Sequence, residues 1–238
     1  MNGLATAATQ ALLNELETSP KPGLVDRESN GAHTDLSVDR LRESALALQV
    51  VFHEIALSAA GAEITTELRE EVGAIGRRGE SAMWRASGGT NTHRGALWAL
   101  GLLVASAAAL KQPRSPYAIA AHAGKLARLH DRFAGYEPSH GRTVQQRYGA
   151  GGARAEAAAG FPHVISVALP ALRAGAPQAD VLLELLARVD DTCLLHRGGP
   201  AGRAHCAYRC QARVVRRRQR VSIGPAPHPR VGPNARCI

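Results

Sequence analysis

Four short polar strings interrupt a sequence otherwise rich in alanine and leucine, and each carries residues able to handle phosphate or metal. The first is SPKPGLVD at residues 19–26, continued by NGAHTD at 30–35; the second is SGGTNTHRGALW at 87–98. The third is GAGGARAEAAAGFP at 149–162, and the fourth is DDTCLLHRGG at 190–199. Together they gather Asp26, Asp35, Glu156, Asp190 and Asp191 with Lys21, Arg94, Arg154 and Arg197. Carboxylates and fixed cations in one site suit a metal-bound polyphosphate. Magnesium takes one or two carboxylates plus phosphate oxygens, while Arg and Lys meet the remaining phosphate charge. Glycines such as Gly23, Gly152, Gly198 and Gly199 let backbone N–H groups approach an anion, and helix starts add a positive end.

Each candidate also has a plainer reading. Asp190-Asp191 could be a solvated helix turn. Inside VLLELLARVDDTCLL, however, apolar residues lie on most sides, so at least one of the pair should turn inward, where a carboxylate needs a cation or donors. His93 follows Asn91-Thr92 and opens the most apolar helix, which suits either a hydrogen bond at the helix start or a role on a ligand. His33 in the first string carries the same pair of readings. Arg154 and Glu156 are two residues apart and so do not face each other on a helix. The glycines at 149, 151 and 152 resemble a dinucleotide loop, yet no apolar strand precedes them, which excludes a Rossmann site.

The elements that must position these strings read as helices. Aromatic residues are only 4% of the 238 and Ala, Leu and Gly abound, a balance favouring closely packed helices over strands. Residues 3–17 form a first helix, stopped by the prolines at 20 and 22. Val38, Leu41, Ala45, Leu48, Val51 and Ile55 recur at steps of three and four, with Ser37 placed to cap them. A third helix over about residues 65–85 turns Leu68, Val72 and Ile75 inward. The apolar run at 95–110 reads as a buried core helix, since a membrane span needs roughly 20 residues. Ser115-Pro116 opens a helix closed by Gly135. Phe161-Pro162 introduces one that Pro170 should kink, and the last starts after Pro177, runs through Leu194 and stops at Gly198-Gly199-Pro200.

In order and spacing, the strings resemble the motifs of the triphosphoribosyl-dephospho-coenzyme-A synthase family over residues 11 to about 202. NTHRG, GARAEA and DDT…RGG carry the match, and Thr90, Arg94 and Ala155 stand where Val, Lys and Gly are usual. The form DDTCLLHRGG looks most like members serving malonate decarboxylase rather than citrate lyase. The lack of a secretory signal points to the cytoplasm, and the resemblance implies an enzyme whose substrates are ATP and 3'-dephospho-CoA. Its products would be adenine and 2'-(5''-triphosphoribosyl)-3'-dephospho-CoA, a prosthetic-group precursor that a separate transferase system passes to an acyl-carrier subunit. It also implies inversion at the sugar, β in ATP and α in the product, which calls for a base on the attacking hydroxyl and negative charge near an oxocarbenium-like centre. On this basis Asp190, Asp191, Glu156 and Asp35 are expected to share magnesium and general-base duty, with Asp190 and Asp191 the metal candidates. Lys21, Arg94, Arg154 and Arg197 are expected on the phosphates, and Gly23, Asn91, Thr92, His93, Gly152, Gly198 and Gly199 along the nucleotide. Asp26, Asn30 and His33 complete the candidates.

Two other functions compete. His130-Asp131 could belong to a helical metal-dependent phosphohydrolase, although LHDRF reads more simply as an exposed charged turn. The Arg-rich run at 213–220 could hold phosphate backbones as a nucleic-acid module. The net charge of +9 argues against that: residues 203–238 hold 9 Arg and no acid, which leaves residues 1–202 neutral. Cys206 and Cys210 with His205 lack the second ligand pair that structural zinc needs. No secretory signal opens the chain, and neither a membrane nor a specific nucleic acid is an expected partner.

The expected architecture is all-α: a single-domain multi-helix bundle over residues 1–202, then an irregular, disordered basic tail over 203–238. In the tail acids vanish, prolines crowd at 225, 227, 229 and 233, and no apolar period survives, so no packed helix is expected. Family members continue with further helices and a glycine- and serine-rich string. Against that pattern residues 203–238 read like an out-of-frame translation, with weakened stability and activity as the expected consequence.

Overall fold

The computed structural model describes residues 2–21, 23–31, 33–111, 114–135 and 140–222, and every regular element among them is helical. Five long helices build the main core: α1 (Asn2–Glu17), α2 (Val38–Ser58), α3 (Thr66–Ala86), α4 (Arg94–Ala109) and α5 (Pro116–Arg128). Three begin at side-chain caps. Ser37 accepts from the Arg40 N–H, Thr65 from Leu68 and Ser115 from Ala118, each satisfying a donor that a helix start leaves open.

The apolar stripes meet at the centre of these helices. Leu48, Phe52 and Ile55 of α2, Met83 of α3, Leu102 of α4 and Leu126 of α5 are fully buried. Each contributes about 1.5–3 kcal/mol relative to exposure. Leu41, Ala45, Val51, Leu68, Val72 and Ile75 are buried as their spacing predicts, and α4 is the core helix its apolar run predicts. Val38 is only half buried and packs on a satellite cluster of Leu16, Val25 and Leu41. No helix of the described residues is long and apolar enough to cross a membrane.

The second half is built of shorter pieces: α6 (His140–Tyr148), α7 (Gly152–Ala158), a π-helical turn over Val164–Ala168, α8 (Leu169–Arg173), α9 (Gln178–Arg188) and α10 (Thr192–Ser222). The π turn sits just before Pro170 and accommodates the ring and the missing donor that were expected to kink this helix.

Three expectations are corrected here. The fifth helix ends at Arg128 rather than Gly135, because Asp131 is drawn out of the helical path into buried ion pairs with Arg77 and Arg69. The last predicted helix is two helices: Val189 is extended (φ −69, ψ 149), and Asp191 Oδ1 accepts the Cys193 and Leu194 N–H groups, starting α10 anew. Within α10, Gly199 leaves helical geometry (φ 60, ψ −168), and Pro200 leads the second run.

The third correction concerns residues 203–222, which continue α10 although no packed helix was expected there. Cys206, Cys210 and Val214, spaced by four, form an apolar stripe against Leu183, Leu186 and Ala187 of α9. Arginine is a good helix former, so the basic run supports this helix. The proline-rich residues 225–233 and Cys237 lie outside the described residues.

Candidate active site

The first two strings meet around a buried polar knot. Asp26 Oδ2 accepts the Lys21 N–H at 2.6 Å, and Oδ1 accepts Glu28 and Ser29 N–H at 2.9 Å each, so this carboxylate shapes its own loop. The Lys21 N–H bond is the main reason its pKa lies below the usual value, against the opposing effect of burial. Gly31 is required where it is: its φ is +57, and a Cβ would sit 2.5 Å from the Leu24 carbonyl oxygen. The Lys21 ammonium is buried and held by Glu15 Oε1 at 2.7 Å, so it braces the loop and lines neither of the clefts described below. His93 lies close enough to feel its charge. Burial, assisted by Lys21, pushes the His93 imidazole down to a pKa of about 4, and its Nδ1 lies 2.9 Å from Ser44 Oγ. The same hydroxyl binds Thr92 Oγ1. His93 is therefore a neutral, hydrogen-bonded group at the start of α4.

The third and fourth strings meet in a cleft of about 510 Å³. On one wall, α7 presents Gly152 and Glu156; on the other lie Asp190, Asp191 and Thr192. Gly152 makes the approach possible, since its φ is +54 and a Cβ there would stand 2.6 Å from Thr192 Cγ2. Glu156 holds His163, also in the cleft: Oε1 accepts its backbone N–H at 2.8 Å and Oε2 lies 2.7 Å from Nδ1. An ionised carboxylate only accepts, so Nδ1 donates to it, and in the neutral ring Nε2 is then the acceptor nitrogen. Asp191 caps α10 with Oδ1 alone, while exposed Asp190 pairs with Arg203 at 3.0 Å.

A separate cleft of about 410 Å³ links the second string to the third. Arg94 at the start of α4 and Arg154 of α7 both line it, facing Arg69 and Arg77 of α3. Asp131 lies at its wall, 2.7 Å from Arg77 and 3.5 Å from Arg69, and is buried. It is not the exposed turn that the sequence suggested. Its carboxylate is engaged by two guanidiniums.

The four strings thus meet in pairs and not in the one shared site expected of them, with α7 facing both clefts. Asp35, Asn30, His33, Asn91 and Arg197 line neither cleft. Asp35 is exposed with His33 at 3.8 Å, and Asn91 Oδ1 accepts the Arg94 N–H at the start of α4. Gly23 takes a left-handed turn (φ +80) in the first loop, and Gly198 precedes the bend at Gly199. Sequence reasoning missed His163, Arg69, Arg77 and the burial of Asp131. The one available signal was Gly73, Gly76 and Gly79 inside α3, a spacing a helix tolerates poorly unless something must approach it closely.

The fold is all-α, with one cleft lined by carboxylates and another by arginines. The chain matches the family model described as ATP:dephospho-CoA triphosphoribosyl transferase over residues 1–224, past the end near 202 read from the strings alone. A protein of Azotobacter vinelandii named "Probable 2-(5''-triphosphoribosyl)-3'-dephosphocoenzyme-A synthase" is 49% identical over 208 residues, covering 83% of this chain and 71% of that protein. Relatives of the same name from Pseudomonas aeruginosa UCBPP-PA14 and Pseudomonas fluorescens Pf-5 are 49% and 48% identical, each alignment covering 84% of this chain and 72% of the relative. No solved structure matches. The chain belongs to the triphosphoribosyl-dephospho-CoA synthase family.

Proposed function

We propose that this chain moves the triphosphoribosyl group of ATP onto the 2'-hydroxyl of 3'-dephospho-CoA, releasing adenine, and that the cleft between α7 and the start of α10 holds the reacting sugar. One observation carries this reading: Glu156 with its bound His163, and the Asp190-Asp191 pair, come from distant segments yet face one cavity. In the transfer, the glycosidic C–N bond of ATP breaks with its electrons going to adenine, which takes up a proton. A C–O bond forms to the acceptor, whose hydroxyl proton must go to a base. His163 Nε2, the acceptor nitrogen of the neutral ring when Nδ1 donates to Glu156, is suited to take it, and the nearby carboxylates stabilise positive charge developing on the sugar. The inversion expected for the family needs base and leaving group on opposite faces of the sugar, which an open cleft with two acidic walls supports.

Asp190 and Asp191 fit magnesium in the mode that uses one or two carboxylates plus phosphate oxygens, since Asp191 spends only Oδ1 on its cap. Among the described residues no group of three His, Cys, Asp or Glu side chains forms a complete protein cage. When bound, the ion would neutralise the triphosphate. The product would be a prosthetic-group precursor made in the cytoplasm and passed to a carrier-protein transferase system. The form DDTCLLHRGG favours malonate decarboxylase over citrate lyase as its destination. Incubating the chain with ATP, with and without dephospho-CoA, tests the reading. Adenine release that requires dephospho-CoA is expected; release of phosphate alone would overturn it.

A further inference from the structure

The cleft between α3 and α4 is absorbed by none of the chemistry above, and its lining is specific. On α3, Arg69, Gly73, Gly76, Arg77 and Glu80 share one face; on α4, Arg94, Leu97, Trp98, Gly101 and Leu102 share another. Two features keep the space open. Gly76 has no atom within 4 Å of where its Cβ would be, and Gly73 leaves room for Asp131, whose Oδ2 would lie 2.1 Å from a Cβ there.

The charge is unbalanced. Four guanidiniums, of Arg69, Arg77, Arg94 and Arg154, face two carboxylates, of Asp131 and Glu80. Asp131 is already engaged by Arg69 and Arg77, and Glu80 by Arg94 at 3.2 Å. Arg154 has no carboxylate partner among the described residues, and Arg69 Nε is buried without a hydrogen-bond partner. Burial, with Arg154 and Arg77 nearby, holds the Arg69 pKa below its ordinary value despite Asp131, so an added anion would relieve this cluster. Aromatic faces adjoin the cations: Trp98 lines the wall, and Phe133 is 63% exposed at the mouth with Arg132 over its ring at 5.6 Å.

We infer that this arginine cleft binds an adenine nucleotide, its phosphates on Arg69 and Arg154 and its base against Trp98 or Phe133. Guanidiniums bind phosphate in bidentate fashion, aromatic faces stack bases, and about 410 Å³ suits a ligand of this size. The inference rests on the transferase reading, in which both substrates carry adenine and linked phosphates. Shared chemistry fits either one, and the experiment separates them.

The full chain is titrated with ATP, with dephospho-CoA and with inorganic tripolyphosphate, following Trp fluorescence and heat, alongside two variants. Gly76→Leu projects a side chain into the cleft, has open space around its Cβ and improves helix propensity, so an unchanged circular-dichroism spectrum and undiminished melting temperature are expected. Arg154→Gln removes a charge that supports no ion pair. Gly76→Leu should abolish binding of one nucleotide, and Arg154→Gln should weaken the same one about tenfold. Loss of ATP binding marks the donor cleft, and loss of dephospho-CoA binding marks the acceptor cleft. Wild-type affinity of both variants for both nucleotides overturns the inference, as does a loss confined to tripolyphosphate or a wild-type chain that binds neither nucleotide. The outcomes also separate the two readings: a wild type that binds a nucleotide in this cleft but releases no adenine overturns only the transfer reaction. A wild type that releases adenine while Gly76→Leu is unaffected in binding and rate overturns only the cleft assignment.

Discussion

Glu156 uses both carboxylate oxygens on His163, one on the backbone N–H at 2.8 Å and one on Nδ1 at 2.7 Å. This double hold fixes the ring across the turn that joins α7 to the π-helical segment, and leaves Nε2 outside the contact. If His163 takes the hydroxyl proton, His163→Ala should lower turnover by about 10²–10⁴-fold with little change in the KM for ATP. Glu156→Gln should lower it less, since an amide keeps one acceptor for the backbone N–H. Steady-state adenine release checks both, and unaltered turnover in His163→Ala would exclude it as the base.

Asp191 has a structural duty that any test of its chemistry must respect. Asparagine caps helices about as well as aspartate, so Asp191→Asn preserves the start of α10 while deleting the charge. It should reduce turnover by orders of magnitude and leave the melting temperature within a few degrees. Asp191→Ala should additionally cost about 1 kcal/mol of stability. Equal activity in Asp191→Asn and wild type would confine Asp191 to capping.

His93 makes stability depend on pH. Its folded pKa of about 4 lies below the usual 6.5 of a histidine, so below pH 6.5 the unfolded chain takes up a proton that the folded chain does not. The native state therefore has its full stability above pH 6.5, loses it as pH falls and reaches a plateau below 4. The loss at pH 5 should be about 2 kcal/mol. Urea midpoints at about pH 7.5 and 5 measure it. In His93→Gln this slope should flatten; an unchanged slope would place its origin in another group.

The junction of the third and fourth strings depends on a missing side chain. Gly152→Ala should destabilise by about 1–3 kcal/mol, combining a left-handed backbone with a clash against Thr192 Cγ2, and should depress activity. Thr192→Ser removes that methyl group, so the double variant should recover part of the loss but not the backbone share. Full additivity in a double-mutant cycle would contradict a direct contact.

The packing of α10 on α9 makes a prediction for the basic segment. Val214, buried with Leu183 and Cys210, should not tolerate charge: Val214→Asp is expected to cost about 2–4 kcal/mol in thermal or urea unfolding. The same substitution at exposed Val215 should be nearly neutral. Equal effects at the two positions would mean that this stripe is not packed.

Most of the helical framework was legible from residues close together in the chain. Ser37, Thr65 and Ser115 start helices through bonds to an N–H three residues on, and the stripe from Leu41 to Ile55 needs only the helical period to show its buried face. The polar strings were legible for the same reason, since they break that period. Which strings would meet was not. Asp131 reaches Arg77 across 54 positions and Glu70 reaches Arg132 across 62, distances over which periodicity carries no information. Packing also reassigned roles. It spent Asp26 on its own loop, Lys21 on Glu15 and one oxygen of Asp191 on a helix start, while it brought His163 to Glu156 and a hidden stripe of Cys206, Cys210 and Val214 to α9. Local hydrogen bonding and periodicity act within a turn or two and so are written in the sequence. A cleft exists only where helices approach and a glycine leaves room, as at Gly76 and Gly152, and that is decided by the packed fold.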